Sequence, residues 1–203
     1  SSSARVLLEE DGFYTLMIGS TDMGTGSDTT LTQIASEVLQ CSTKRINVHG
    51  VDTDVSPYDP GSYASSTAYV TGNAVKLAAE ELVKKMVDCA ASVLDSQPDQ
   101  IKFDGESFTN DIGVSISLVD LSTKLYVWNH QRLEGEASWG GEYSPPPAMA
   151  ACVKIDLDPE TGKVQILDYV AEVDCGTIIN PNLVKVQTEG GLMQGIGMAL
   201  TED

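Results

Sequence analysis

The chain has 203 residues, 41% of them apolar, and 30 acidic against 12 basic side chains, for a formal charge of −18. That length and apolar fraction suit an ordinary globular region with a sizeable core, and no run approaches the roughly 20 apolar residues that span a bilayer. The dispersed acidic charge argues against binding to nucleic acid or to anionic membrane, and with so few cations an anionic ligand has to be met by backbone N–H groups and hydroxyls.

In chain order, Val6 to Ile18 reads as two short strands about a turn at Glu10-Asp11-Gly12. The second strand is apolar on both faces, as a central strand is. A polar, glycine-rich loop over residues 19–27 leads into a helix capped by Ser27 or Asp28, with Leu31, Ile34, Ala35, Val38 and Leu39 at helical spacing. A strand over residues 45–49 follows, then a turn-rich stretch, Asp52 to Ser62, with Pro57, Pro60 and Gly61. Helical periodicity runs from about Ser65 to Leu94, with a break or late start expected near Gly72. A strand pair over residues 101–109 turns at Asp104-Gly105, and a short helix covers residues 116–121. Gly135 to Pro147 reads as a loop or arm. The alternation of residues 149–173 about Asp158-Pro159-Glu160-Thr161-Gly162-Lys163 specifies a hairpin. The last stretch, 182–200, is glycine-dotted and helical at least from Gly191. Strands and helices do not alternate strictly and no linker signature appears, so the expectation is a single α+β region over residues 1–203.

Cys41, Cys89, Cys152 and Cys175 are far apart and fit neither zinc nor iron–sulfur spacings. They are expected as buried thiols in a reducing cytoplasm. His49 and His130 do not cluster, so no metal site built by the protein alone is expected. The opening Ser1-Ser2-Ser3 has no apolar core behind a basic segment and does not read as a signal peptide. It is expected as a loop or a remnant unrelated to the fold.

Three segments carry candidate chemistry. Gly19-Ser20-Thr21-Asp22-Met23-Gly24-Thr25-Gly26-Ser27-Asp28-Thr29 lies between a strand and a helix start, where glycines permit close approach and free amides attract anions. It lacks the lysine of a phosphate-binding P-loop and matches no dinucleotide fingerprint. Asp59-Pro60-Gly61-Ser62-Tyr63-Ala64-Ser65-Ser66-Thr67 also precedes a helix and offers several hydroxyls. In the third, Asp174-Cys175-Gly176 and Asn180-Pro181 precede Gln187 and Gln194, whose spacing puts both amides on one helix face. Each segment alone also suits a bland role: an unliganded loop, an N-cap cluster, a glycine-packed helix.

In this order and spacing the three segments resemble the molybdopterin-binding subunit of the xanthine dehydrogenase and aldehyde oxidase family. The first is similar to that family's Asp-Met-Gly-Gln-Gly loop, with Thr25 where many members carry Gln. The second, taken from Asp52-Thr53-Asp54 to Thr71-Gly72-Asn73-Ala74, is similar to its second cofactor loop and helix. The hairpin at Asp158-Pro159-Glu160-Thr161-Gly162 and the run from Asp174-Cys175-Gly176 to Gln194-Gly195-Ile196-Gly197 resemble its late core. The resemblance covers nearly the whole chain.

It implies an α+β molybdenum-cofactor-binding domain, with mixed sheets packed with helices. It also implies molybdenum held by the dithiolene of a pterin, in the cytosine dinucleotide form common in bacterial members. Gly24, Thr25 and Gly26 would contact the cofactor from the first loop, Ala64, Ser65, Ser66 and Thr67 from the second, and Gln187 from the third. The implied activity is hydroxylation of an aldehyde or N-heterocycle with oxygen from water, in a cytoplasmic complex with iron–sulfur and FAD domains or subunits. Two alternatives stand beside it. The Gly26-Ser27-Asp28-Thr29 and Gly61-Ser62-Tyr63 phrases resemble the reductive 4-hydroxybenzoyl-CoA reductase, and a non-catalytic cofactor-binding or assembly module would carry the same loops. The family's catalytic Glu, in a Gly-Glu-Pro-Pro-like motif, is not met by residue 203. No catalytic residue is therefore assigned to this chain, and the 203 residues are expected as an inactive piece of the molybdopterin subunit.

Overall fold

Residues 1–141 and 143–202 are described by the structure, a computed structural model. They fall into two compact units, Ser1–Glu142 and Tyr143–Asp203. The first contains β1 (Ser2–Leu8), β2 (Tyr14–Ile18), α1 (Ser27–Leu39), β3 (Ile46–His49), α2 (Thr67–Val93), β4 (Lys102–Phe103), β5 (Ser107–Thr109), β6 (Ser115–Ser117), α3 (Leu118–Thr123) and β7 (Glu134–Trp139). The second contains β8 (Ala148–Leu157), β9 (Val164–Asp174) and α4 (Pro181–Leu200).

The main sheet has the order β3-β2-β1-β7, so β2 is interior, as its two-faced apolarity predicts. Its Tyr14, Leu16 and Ile18 are fully buried and alternate with half-buried Thr15 and Met17. β1 runs antiparallel to both β2 and β7. The serine-rich opening is therefore strand, not loop: Ser2 pairs with Trp139 and is buried, and Ser3 Oγ lies 2.7 Å from Ser138 Oγ. β2 and β3 are parallel, with Tyr14 opposite Ile46 and Met17 opposite His49, and α1 makes the crossover that parallel pairing requires.

Alanine-rich α2 lies against this sheet. Ala74, Val75, Ala78, Ala79, Leu82 and Met86 are buried in one core with Val6, Leu8, Leu16 and, from α1, Leu31, Ala35 and Leu39. The small residues let helix and strand come close. A Cβ on Gly135 of β7 would sit 2.0 Å from the Ala78 carbonyl oxygen. The break expected near Gly72 does not occur. α2 is continuous, and Gly72 instead makes room for α1, since a Cβ there would stand 2.9 Å from Ile34 Cδ1.

The expected loop over residues 135–147 is corrected in part. Its first residues form β7, held by pairing with β1 and by Trp139, which meets Tyr69 edge-on at 4.9 Å. Residue 142 lies outside the described residues. The pair β4-β5 turns as expected, but a third strand, β6, joins it. α3 starts at Leu118 because Ser117 Oγ caps it, accepting from the Asp120 N–H at 3.0 Å. A π-helical turn, Lys124–Trp128, follows.

β8 and β9 form the expected antiparallel hairpin, with a register shift between Lys154 and Ile155. Asp158 holds its turn, accepting from the Glu160 N–H at 2.9 Å and the Thr161 hydroxyl at 2.6 Å. α4 is helical as expected and begins as early as Pro181, because Asn180 caps it through the Leu183 N–H and proline suits the first position. All four cysteines are free. The expectation that they are buried fails: Cys41 and Cys89 are half-buried and Cys152 and Cys175 exposed, Cys152 because β8 carries no buried side chain. Among the described residues, no helix is long and apolar enough to cross a membrane.

Candidate functional site

Parallel pairing decides where the candidate loops start. β2 and β3 end side by side, at Met17 and His49, so the loops that follow them leave from the same end of the sheet. Open α/β sheets place ligands at that end of parallel strands. The two loops then touch. Ser62 Oγ donates to the Thr21 carbonyl at 3.0 Å. Gly19 is the closest point, where a Cβ would fall 2.3 Å from the Pro57 carbonyl oxygen and 2.8 Å from Asp59 Cβ. The Asp59 carboxylate ties its loop to α2, accepting from the Thr71 hydroxyl at 2.9 Å.

Both loops are built on one local device, an aspartate whose carboxylate accepts from the amide two residues on. Asp22 Oδ1 receives the Gly24 N–H at 2.9 Å, and Asp59 Oδ1 the Gly61 N–H at 2.8 Å. The third segment repeats it, with Asp174 Oδ1 receiving the Gly176 N–H at 3.0 Å. Each glycine has a positive φ, 100°, 114° and 76°, which favours glycine at these positions.

The first loop departs from the sequence expectation in how its amides are used. α1 is not capped by Ser27 or Asp28. Its N-cap is Gly26, at φ 73° and without a side chain. The acceptor comes from Asp22, which also takes the Gly26 N–H at 3.1 Å and the Asp28 N–H at 3.4 Å. Burial raises the pKa of Asp22, but these amides outweigh it and hold its carboxyl below the usual value of 3.8. Asp28 goes the other way, raised by burial and then by the charge of Asp22. Hence Gly24, Thr25 and Gly26 form a tethered loop rather than a set of open amides. Beside them Ser20 Oγ, Ser27 Oγ and Asp28 Oδ1 are buried without a hydrogen-bond partner among the described residues.

In the second loop, Ala64 and Ser65 both have φ of 53° and are exposed. Two successive non-glycine residues in the left-handed region cost roughly 1–3 kcal/mol each. Ser66 is the N-cap of α2, but its hydroxyl donates back to the Tyr63 carbonyl at 2.8 Å and caps no amide. The start of this helix, at Thr67, is therefore without the side-chain cap that Ser commonly provides. Gln187 is exposed on α4, in the second unit, on the same helix as Gln194.

Shallow depressions of about 540 and 350 Å³ mark the surface. The first is lined by Glu9, Glu10, Asp11, Phe13 and their neighbours, and the second by Asp28, Thr29, Thr32, Gln33, Thr43 and Val48. The second draws Asp28 and Thr29 from the first candidate segment, but neither includes Gly24, Thr25, Gly26, residues 64–67 or Gln187. Among the described residues no three His, Cys, Asp or Glu side chains group so as to hold a metal ion.

Sequence reasoning gave no individual role to Gly19, Asp22, Asp59 or Thr71. The Asp-x-Gly pattern was a sufficient signal for the local turns. The additional amides held by Asp22 depend on the path of the loop.

A family model described as the molybdopterin cofactor-binding domain matches residues 1–203. The chain is 30% identical to the "Probable hypoxanthine oxidase XdhD" of Escherichia coli, covering 100% of this chain and 21% of that protein. It is 31% identical to the nicotine 6-hydroxylase large subunit of Paenarthrobacter nicotinovorans, covering 98% and 26%. Among solved structures, it matches reconstituted CO dehydrogenase from Oligotropha carboxidovorans with a TM-score of 0.84 at 26% identity, over 94% of this chain and 24% of that one. It also matches quinoline 2-oxidoreductase from Pseudomonas putida 86 with a TM-score of 0.84 at 25% identity, over 97% and 26%. The chain belongs to the molybdopterin cofactor-binding domain family. It corresponds to a piece of the large chains of molybdenum hydroxylases, spanning about a quarter of the relatives it matches.

Proposed function

We propose that this chain supplies part of the cofactor-holding surface of a molybdenum hydroxylase. In this reading Gly24, Thr25 and Gly26 meet the pterin, Ala64, Ser65, Ser66 and Thr67 meet its phosphate-bearing tail at the start of α2, and Gln187 adds an amide. The observation that carries the reading is the junction of two loops from one end of the sheet, through Ser62 on Thr21 and Gly19 against Pro57.

The donor set fits such a group. Buried, unpartnered hydroxyls at Ser20 and Ser27 suit a neutral hydrogen-bonding organic ligand. A helix start with no side-chain cap suits an anion where cations are scarce. With no cluster of metal-ligating side chains among the described residues, molybdenum would arrive on the pterin. When bound, the cofactor supplies the two-electron chemistry of hydroxylation, with oxygen from water. The residues of this chain bind and orient it. The cytosine dinucleotide form, a cytoplasmic location, an aldehyde or N-heterocyclic substrate, and iron–sulfur and FAD partners complete the proposal. So does a single α+β region over residues 1–203.

Metal analysis and pterin fluorescence of the full-length protein test it. One molybdenum and one pterin per polypeptide are expected. A catalytically active protein with neither would overturn the assignment.

A further inference from the structure

We propose that Asp22 is a positioning residue, whose carboxylate occupies the amide cluster at the start of α1 and fixes the Gly24–Gly26 segment before any ligand arrives. The inference rests on the cofactor-holding reading above and deepens it.

The geometry is not that of an ordinary cap. A helix cap accepts from one or two amides of its own first turn. Asp22 stands upstream of the N-cap Gly26, and its carboxylate reaches backbone points on both sides of Thr25. These are the Gly24 N–H at 2.9 Å, the Gly26 N–H at 3.1 Å and, in the helix, the Asp28 N–H at 3.4 Å. The backbone of Thr25 is thus tied at both ends, while its neighbour Gly24 has open space where a Cβ would be.

A second observation separates this arrangement from simple stabilisation. The charge of Asp22 bears on Asp28, whose Oδ1 is buried and unpartnered among the described residues. The loop keeps this like-charge pair without an ion pair to either member among the described residues. One consequence bears on specificity. Amides already bound to a carboxylate are unavailable to an anionic group, and two adjacent negative charges repel one. The first loop therefore presents Thr25 and its own fixed backbone to a neutral part of the ligand, and an anionic part must bind elsewhere.

The test uses the full-length protein with Asp22→Ala and Asp22→Asn. It reads molybdenum and pterin per polypeptide, the rate of pterin release from the loaded protein, and the melting temperature of the cofactor-free form. Losing the bonds of a carboxylate that fixes the loop should speed release about tenfold in Asp22→Ala. Asparagine keeps the Oδ1 acceptor and should restore release to within about threefold of wild type. The cofactor-free melting temperatures of all three should agree to within a few degrees. Unchanged release in Asp22→Ala overturns the proposal, as does a cofactor-free melting temperature that falls in step with release. If Asp22→Ala does not fold, Asp22→Glu replaces it. Its charge is kept but displaced by one methylene, and it should release pterin faster than Asp22→Asn, while equal rates overturn the proposal. A wild-type protein holding neither molybdenum nor pterin defeats the cofactor reading itself, an outcome distinct from a loaded protein indifferent to residue 22.

Discussion

Two carboxylates at the start of α1 titrate in opposite senses. Asp22 is buried a little, which raises its pKa, but amides from Gly24, Gly26, Asp28 and Thr25 win and lower it. Its contribution to stability is therefore complete above the usual carboxylate value and fades as pH falls through the lower folded value. Asp28 is raised by burial and by Asp22, so its ionised form destabilises the fold above its folded pKa, and acid relieves that cost first. Asp28→Asn should accordingly gain stability at pH 7, on the order of 1 kcal/mol or less. The advantage should shrink as pH falls through the raised pKa of Asp28. Urea unfolding of the two proteins between pH 7 and 4 measures it. A variant less stable than wild type at pH 7 would show that the helix start gains more from the charge than burial costs.

At the scale of elements, α2 and β7 approach each other closely at Gly135. Gly135→Ala would put a methyl group 2.0 Å from the Ala78 carbonyl oxygen and 2.7 Å from the Leu82 nitrogen. Both are backbone atoms of a helix and cannot rotate away, so the variant should lose about 3 kcal/mol, read as a lower unfolding midpoint. An unchanged midpoint would mean that strand and helix separate easily.

The same contact explains what the sequence conceals. Glu134–Trp139 contains a glycine and small polar residues that read as loop, and β7 exists because β1 offers it a partner. Gly72 reads as a helix breaker, yet α2 passes through it because Ile34 needs the space. By contrast, the β8–β9 alternation, the periodicity of α1 and the apolar run of β2 announce themselves, since each depends on near neighbours. The candidate loops were legible as glycine-rich and hydroxyl-rich segments ahead of helices. That they meet was implied only by the family resemblance, because the contact itself depends on β2 and β3 being parallel.

At the scale of the molecule, the two units differ in kind. The first has a continuous core under its sheet. In the second, β8 is exposed throughout and α4 buries no residue, with Met149, Val153, Ile155 and Leu157 among its exposed apolar side chains. A two-stranded hairpin and a helix with four glycines make a marginal structure alone, consistent with a chain that spans about a quarter of its relatives.

The most direct measurement is an experimental structure of the full-length protein with its cofactor bound. The pterin should lie within hydrogen-bonding reach of residues 24–26, and its phosphates should meet residues 64–67 at the start of α2. A cofactor bound to this protein but touching neither loop would contradict the assignment.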